Sequence, residues 1–430
     1  MEMNLRQETW DHTRPLGARG RRTKTLIGTG LVMTVLGSLV GGGASAGAAS
    51  SAGASAAGAS ASATRSAAVS PASKKRRIDR ARPVFSNPTK ITNPLFPISK
   101  LDHVIQLGED AGESLRVEIA LLPKTRTIKW RGKGVETVVS QFIAYLDGRV
   151  AETAVDYFAQ ADDGSVWYFG EKVSNYEDGV IANHEGSWLA GRDGRPGMIM
   201  PADPKVGDVY RPENIPGFVF EEVTVKAINK TVAGPRGPVQ GAIRVQERLM
   251  DGTTESKVFA PGYGEFRAEA ADELVKLAVA VPIDAQRGSA PGELRVLYRG
   301  ATKIFNAVPS KDWAGISARL ESMTAAWDTY RAGDIPTLLE SQMTAALEGL
   351  SGAVGAETPG PARQAAIEVY GAGLDFLLQY RRVPAIDFDR LDLWGRQLIV
   401  DSAAGDRGGV AGDIAVLKTI RARVAHTLGK

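Results

Sequence analysis

Apolar residues alternate with polar ones through the middle of the chain and recur every three to four positions through its last third. In residues 114–122, Leu115, Val117, Ile119 and Leu121 take one side while Arg116 and Glu118 take the other, the period of a half-buried strand. The same pattern predicts strands over residues 135–146, 150–160, 165–171, 218–230, 239–249, 255–260 and 273–281. Asp147-Gly148, Asp162-Asp163-Gly164, Asp178-Gly179 and Asp251-Gly252 lie between or beside them and supply the left-handed backbone that tight hairpins need. Strands joined in this way make an antiparallel meander that closes into a barrel or curls as a half-barrel. From about Pro291 the period becomes helical: Leu294, Leu297, Tyr298, Ala301, Ile304 and Phe305 share a face, then Trp313, Ile316, Leu320, Met323 and Trp327. Further helical runs cover residues 336–354, 361–380, 388–403 and 410–428, with short Gly, Pro or Asp breaks between them. The expected fold class is α+β in two domains: an antiparallel β meander over residues 84–284, followed by an antiparallel helical bundle over residues 291–430.

The amino-terminal end obeys neither period. Residues 26–40 form an apolar run behind the basic stretch Arg19-Gly20-Arg21-Arg22-Thr23-Lys24, the order of a secretory signal. Fifteen helical residues span only about 22 Å against a hydrocarbon core of roughly 30 Å, so residues 1–49 are expected to be a cleaved signal peptide rather than a permanent span. Ala44-Ser45-Ala46 and Ala46-Gly47-Ala48 offer the small residues that cleavage requires. The export route is Sec or twin-arginine: Arg21-Arg22 fits the latter, while Lys24 and Thr25 stand where that signal usually carries apolar residues. Residues 50–83 are rich in Ala, Gly and Ser and read as a disordered linker. Its basic end, Lys74 to Arg82, reads first as a solvated tether and second as a contact for a membrane surface or cell-wall polymer.

Charge changes the picture of the folded part. The chain carries a formal +3, yet residues 1–49 hold six Lys/Arg against three acids and residues 50–82 hold seven against one, which leaves −6 for the rest. An acidic folded surface does not suit nucleic acid, whose binding needs clustered cations to displace counterions. The chain has no cysteine, so disulfides, thiolate chemistry and lipidation at a cysteine are all excluded.

Candidate chemistry is sparse. The four histidines, His12, His103, His184 and His426, are scattered, and isolated core or surface histidines are the ordinary reading. No serine sits in a Gly-x-Ser-x-Gly elbow, and Gly186-Ser187-Trp188 near His184 does not by itself make a nucleophile and base. Glu171, Asp193, Asp208, Glu213, Glu221 and Glu222 surround an aromatic block but fit no calcium loop. Trp130, Trp167, Tyr168, Trp188 and Tyr210 either pack a core or stack on sugars and line an apolar cavity. From these, Trp167, Tyr168, Glu171, Trp188 and Tyr210 form the candidate ligand-binding set; no catalytic residue, metal ligand or cofactor is assigned. In the helical part the numerous aspartates read as caps and salt bridges, and Asp401 and Asp413, set in apolar helices, need an N–H or arginine partner if buried. Glu-x-x-His, the mark of a bundle metal site, is absent.

One run of short motifs is distinctive as a set: Trp167-Tyr168-Phe169-Gly170-Glu171, Gly186-Ser187-Trp188, Ala190-Gly191, Pro196-Gly197-Met198-Ile199-Met200-Pro201-Ala202, Gly207, Tyr210-Arg211, Pro216-Gly217 and Ala260-Pro261-Gly262-Tyr263-Gly264. Over residues 84–282 the chain thereby resembles a family of exported, actinobacterial-type proteins without an assigned activity. The resemblance implies an antiparallel β-domain similar to the half-barrels of periplasmic lipoprotein carriers, and it brings no catalytic residues with it. Tyr263-Gly264-Glu265 departs from the Val-Gly-Leu expected after Ala-Pro-Gly, which makes that strand more polar. The helical tail, with Asp392-Leu393-Trp394 and Gly412-Asp413-Ile414, resembles tails of other actinobacterial secreted proteins only loosely.

The leading functional expectation is an exported, non-enzymatic binding or envelope-associated protein that holds a small apolar or carbohydrate ligand in the β-domain. A secreted hydrolase acting on wall or carbohydrate substrates through paired carboxylates is the alternative, and a third reading makes the helical bundle a docking module for a protein partner.

Overall fold

The computed structural model describes residues 75–428, together with two short paired strands nearer the amino terminus, β1 (Leu26–Ile27) and β2 (Thr34–Val35). The expected signal peptide and most of the 50–83 linker otherwise lie outside the described residues. The chain continues through β3 (Arg76–Arg77), β4 (His103–Asp110), β5 (Glu113–Leu121), β6 (Arg126–Trp130), β7 (Lys133–Leu146), β8 (Arg149–Gln160) and β9 (Val166–Glu177). Six short strands and one long one follow: β10 (Val180–Asn183), β11 (Trp188–Leu189), β12 (Gly197–Met200), β13 (Asp208–Tyr210), β14 (Asn214–Ile215) and β15 (Val219–Phe220), then β16 (Glu222–Gly234). The sheet ends with β17 (Gly237–Arg248), β18 (Thr254–Ala260), β19 (Gly264–Ala270) and β20 (Glu273–Val281). Six helices complete the described chain: α1 (Gly292–Ala307), α2 (Trp313–Tyr330), α3 (Thr337–Gly355), α4 (Pro359–Leu377), α5 (Val383–Ala404) and α6 (Arg407–Val424).

The molecule is thus mixed α+β, with a large, mostly antiparallel sheet that does not close. Its hydrogen-bonded order is β10-β9-β8-β7-β5-β4-β20-β19-β18-β17-β16-β13-β3, with β11 and β12 added to β9 and β6 added to β7. Only the β13–β3 pair in this path is parallel. Two meanders, β4 to β10 and β16 to β20, are joined where His103 to Asp110 pair with Val281 to Glu273. The turns Asp147-Gly148 and Asp178-Gly179 hold positive φ at both residues, the geometry whose twist matches antiparallel strands.

The sheet curls. Phe158, Tyr168 and Met198 of one arm share a hydrophobic cluster with Val223, Ile243, Val245 and Phe259 of the other, although these strands are not sheet neighbours. The opposite, outer face carries the helices. Ile105, Val279 and Val281 lie in one continuous core with Leu294, Leu297, Met343, Leu374 and Phe376, while Ile143, Tyr145 and Val150 pack on Val416 and Ile420. Burying apolar area on both faces explains why the central strands are so evenly hydrophobic.

A proline-rich strap, residues 83–101, crosses one end of the curled sheet. It is tied to the β8–β9 end by Gln160 N–H to the Pro88 carbonyl at 2.8 Å and Asp162 N–H to that of Val84 at 2.8 Å. It reaches the other arm where Gly262 N–H donates to the Pro94 carbonyl at 2.8 Å, which gives the Ala260-Pro261-Gly262 motif a structural task. Its own Leu95, Phe96, Ile98 and Leu101 are buried, Phe96 edge-on to Phe158 at 5.0 Å.

Candidate functional site

Side chains alternate across each strand, so Glu152, Ala154, Asp156 and Phe158 of β8 point into the concave side together. On β9 they meet Glu171 and Tyr168, paired in register with Asp156 and Phe158 across a bulge. Gly170 lies beside that bulge at φ +110°, and a Cβ there would sit 2.2 Å from the Trp188 carbonyl oxygen. Only glycine lets β11 approach closely enough to bring Trp188 in. The result is a compact cluster: the Trp188 indole N–H donates to Glu213 Oε1 at 2.6 Å, the Tyr168 hydroxyl donates to Asp156 Oδ1 at 3.0 Å, and Tyr168 stands edge-on to Trp188 at 5.5 Å. Both carboxyl oxygens of Glu171 are buried in this cluster without a hydrogen-bond partner among the described residues.

Burial dominates the electrostatics. It pushes Glu152 and Asp156 up to about 8, helped for Glu152 by the charge of Asp156 and opposed for Asp156 by the Tyr168 bond. Glu213 rises to about 7, again through burial, and Glu171 lies well above the usual carboxyl range because burial adds to the charges of Glu213, Asp156 and Glu152.

A second acidic group lines the other arm. Glu247 and Glu255 flank Lys257 at 2.5 Å and 3.4 Å, and these carboxylates hold the buried ammonium above its ordinary value against the effect of burial. Burial raises Glu265 to about 7 and Glu273 to about 8. Both carboxyl oxygens of Glu152 and of Glu273, the Ser140 hydroxyl and the Tyr210 hydroxyl have no hydrogen-bond partner among the described residues. Beneath the strap a cavity of about 30 Å³, room for a water molecule, is lined by Phe96, Ile98, Ser140, Asp156, Tyr263 and Glu265. Among the described residues no group of three metal-ligating side chains converges.

Of the five candidate residues, Tyr168, Glu171 and Trp188 come together in the cluster just described. Tyr210 sits on the far arm near Glu247 and Lys257, whose charges act on its hydroxyl. Trp167 alternates away from Tyr168 and donates its indole N–H to Ser165 at 2.8 Å. All five are buried, so none offers an open stacking face. The inward acids Glu152, Asp156, Glu247, Glu255, Glu265 and Glu273 escaped the reading; Glu152, Asp156, Glu247 and Glu273 carried a signal, each falling in step with apolar residues of its strand, whereas Glu265 falls between Phe266, Ala268 and Ala270 and is placed by a register shift against β18.

A second unforeseen feature joins sheet to helices. Arg116 forks onto Asp375 at 2.6 and 2.9 Å and also onto Glu118. Arg423 donates to Glu118 at 3.0 Å and to Gln141 at 2.5 Å, and Arg390 reaches Asp375 at 3.1 Å and His103 at 2.8 Å. The three guanidiniums hold Glu118 well below the usual carboxylate range despite burial, and burial with the nearby arginines drives His103 well below its own. Asp401, expected to need an N–H or arginine partner if buried, pairs with Arg149, while burial and the charge of Asp401 raise Asp413 to about 7.

Comparison of the chain with protein-family models, with curated proteins and with solved structures finds no match in any of the three.

Proposed function

We propose that this is an exported, non-enzymatic binding protein of the cell envelope whose β-domain is a half-barrel that receives an apolar ligand with a cationic or hydrogen-bond-donating end. The observation that carries the reading is the set of inward carboxyls without hydrogen-bond partners, Glu152 and Glu273 foremost. An unpartnered buried acid costs several kcal/mol if charged and on the order of 1–3 kcal/mol if neutral, so a core that served stability alone would place apolar groups there. An ammonium or hydroxyl on a ligand would supply the missing donors, and its apolar body would take the space now filled by Leu95 and Phe96 of the strap. Export rests on the leader sequence; among the described residues no helix is long and apolar enough to cross a membrane.

Hydrolysis by paired carboxylates is supported less well. The paired acids of a glycosidase flank a cleft that admits substrate and water, whereas Glu171 and Glu213 are both buried.

Titrating the purified protein with dodecyltrimethylammonium below its micelle concentration, and with dodecyl sulfate as the anionic counterpart, tests the proposal through tryptophan fluorescence. Saturable binding of the cation and weaker binding of the anion are expected. Equal responses, or no saturable response to either, would overturn it.

A further inference from the structure

The helices carry a charged groove that the β-domain reading does not use. Arg295, Arg299 and Lys303 follow one another at four-residue steps on α1, so they form a single stripe. Arg319 of α2 faces the stripe across a groove of about 470 Å³. Its floor is the close approach of α1 to α2 at Gly300, where a Cβ would lie 2.5 Å from the sulfur of Met323. Four cations line this groove and no carboxylate does. Ion pairs elsewhere in the helices join Arg331 to Asp328, Arg381 to Asp389 and Arg396 to Asp392; among the described residues none includes the four groove cations. Arg299 donates to the Tyr298 hydroxyl at 3.2 Å, a neutral partner that leaves its charge uncompensated.

Like charges at four-residue spacing destabilise a helix, and this row stands on a folded chain that is otherwise net acidic. An anion between α1 and α2 would relieve the repulsion. Several cations around one concavity select a multiply charged anion over a single carboxylate, and guanidinium forks match the paired oxygens of phosphate. We infer that the α1–α2 groove binds a phosphate-bearing anion, either a free phosphate compound or the phosphate of a lipid headgroup.

The test uses the full chain and its Arg299→Glu/Lys303→Glu variant. Isothermal titration with inorganic pyrophosphate reads the free source, and co-sedimentation with phosphatidylglycerol–phosphatidylcholine vesicles reads the headgroup. The basic run from Lys74 to Arg82 adds vesicle affinity of its own, but it is identical in both proteins, so the difference between them reports the groove. Loss of two charge-assisted contacts should weaken binding at least about tenfold in whichever arm holds the true source. Saturable pyrophosphate binding with that loss assigns a free phosphate compound; vesicle binding with that loss assigns a headgroup. Absence of binding in both arms, or binding that the variant leaves unchanged, overturns the inference. If the double variant melts early by circular dichroism, Arg295→Gln/Arg319→Gln provides the same readouts while keeping strong helix formers.

Discussion

At the scale of single residues, the inward acids make stability a function of pH. Glu152 has an ordinary value of 4.5 and is raised to about 8 by burial and by Asp156. The folded state therefore keeps a proton that the unfolded chain releases some units earlier. Its stabilising contribution is whole below about 4.5 and is lost as pH climbs through 8. Glu152→Gln fixes the side chain in a neutral form, so the stability of the variant relative to the natural protein should rise between these limits, by on the order of a few kcal/mol, and level off above them. Urea unfolding at a series of pH values checks this, and a difference that stays constant would show that Glu152 titrates alike in the folded and unfolded states, with no raised value on folding. The sequence held the block around Trp167 to Glu171 in plain view, because aromatic and glycine density is local. It hid Asp156 as the partner of Tyr168, since that pairing depends on a bulge between β8 and β9 which shifts register by one residue.

At the scale of elements, most of the long strands were legible, and the central strand at the seam was not. Glu113–Leu121 and Glu273–Val281 were predicted within one residue at each end. His103–Asp110 was missed: His103, Ile105 and Leu107 face the helices while Val104 and Gln106 face the concave side, so alternation does not separate apolar from polar. The helices announced themselves through their period, but their docking did not, because it runs through Arg116, Glu118, Asp375, Arg390 and Arg423, charged residues that a sequence reading assigns to solvent. Glu118 is the centre of that network, with Arg116, Arg390 and Arg423 around it. Glu118→Ala would leave three largely buried guanidiniums with too little opposite charge and should cost about 3–5 kcal/mol in chemical unfolding. Hydrogen exchange should quicken in α5 and α6, which present Arg390 and Arg423, more than in α2, which contributes nothing to the network. Uniform quickening would mean that the network does not locally hold those helices.

At the scale of the whole molecule, the decisive contact is the pairing of β4 with β20, which brings residues 103–110 against 273–281 and turns two meanders into one curled sheet. No local pattern encodes it, because any two apolar edges are candidates until the helices choose. They do so by covering Ile105, Val279 and Val281 at that very seam, so the sheet and the helices bury each other's apolar surface. Removing residues 291–430 would uncover that seam and strip Glu118 and Arg116 of Arg390, Arg423 and Asp375. Calorimetry of residues 75–430 should accordingly give one cooperative transition rather than two, and a fragment ending at residue 284 should bind anilinonaphthalene sulfonate and aggregate rather than melt reversibly. Two resolved transitions, with a fragment that retains the near-ultraviolet dichroism of its buried tryptophans, would instead mean that the sheet supports itself.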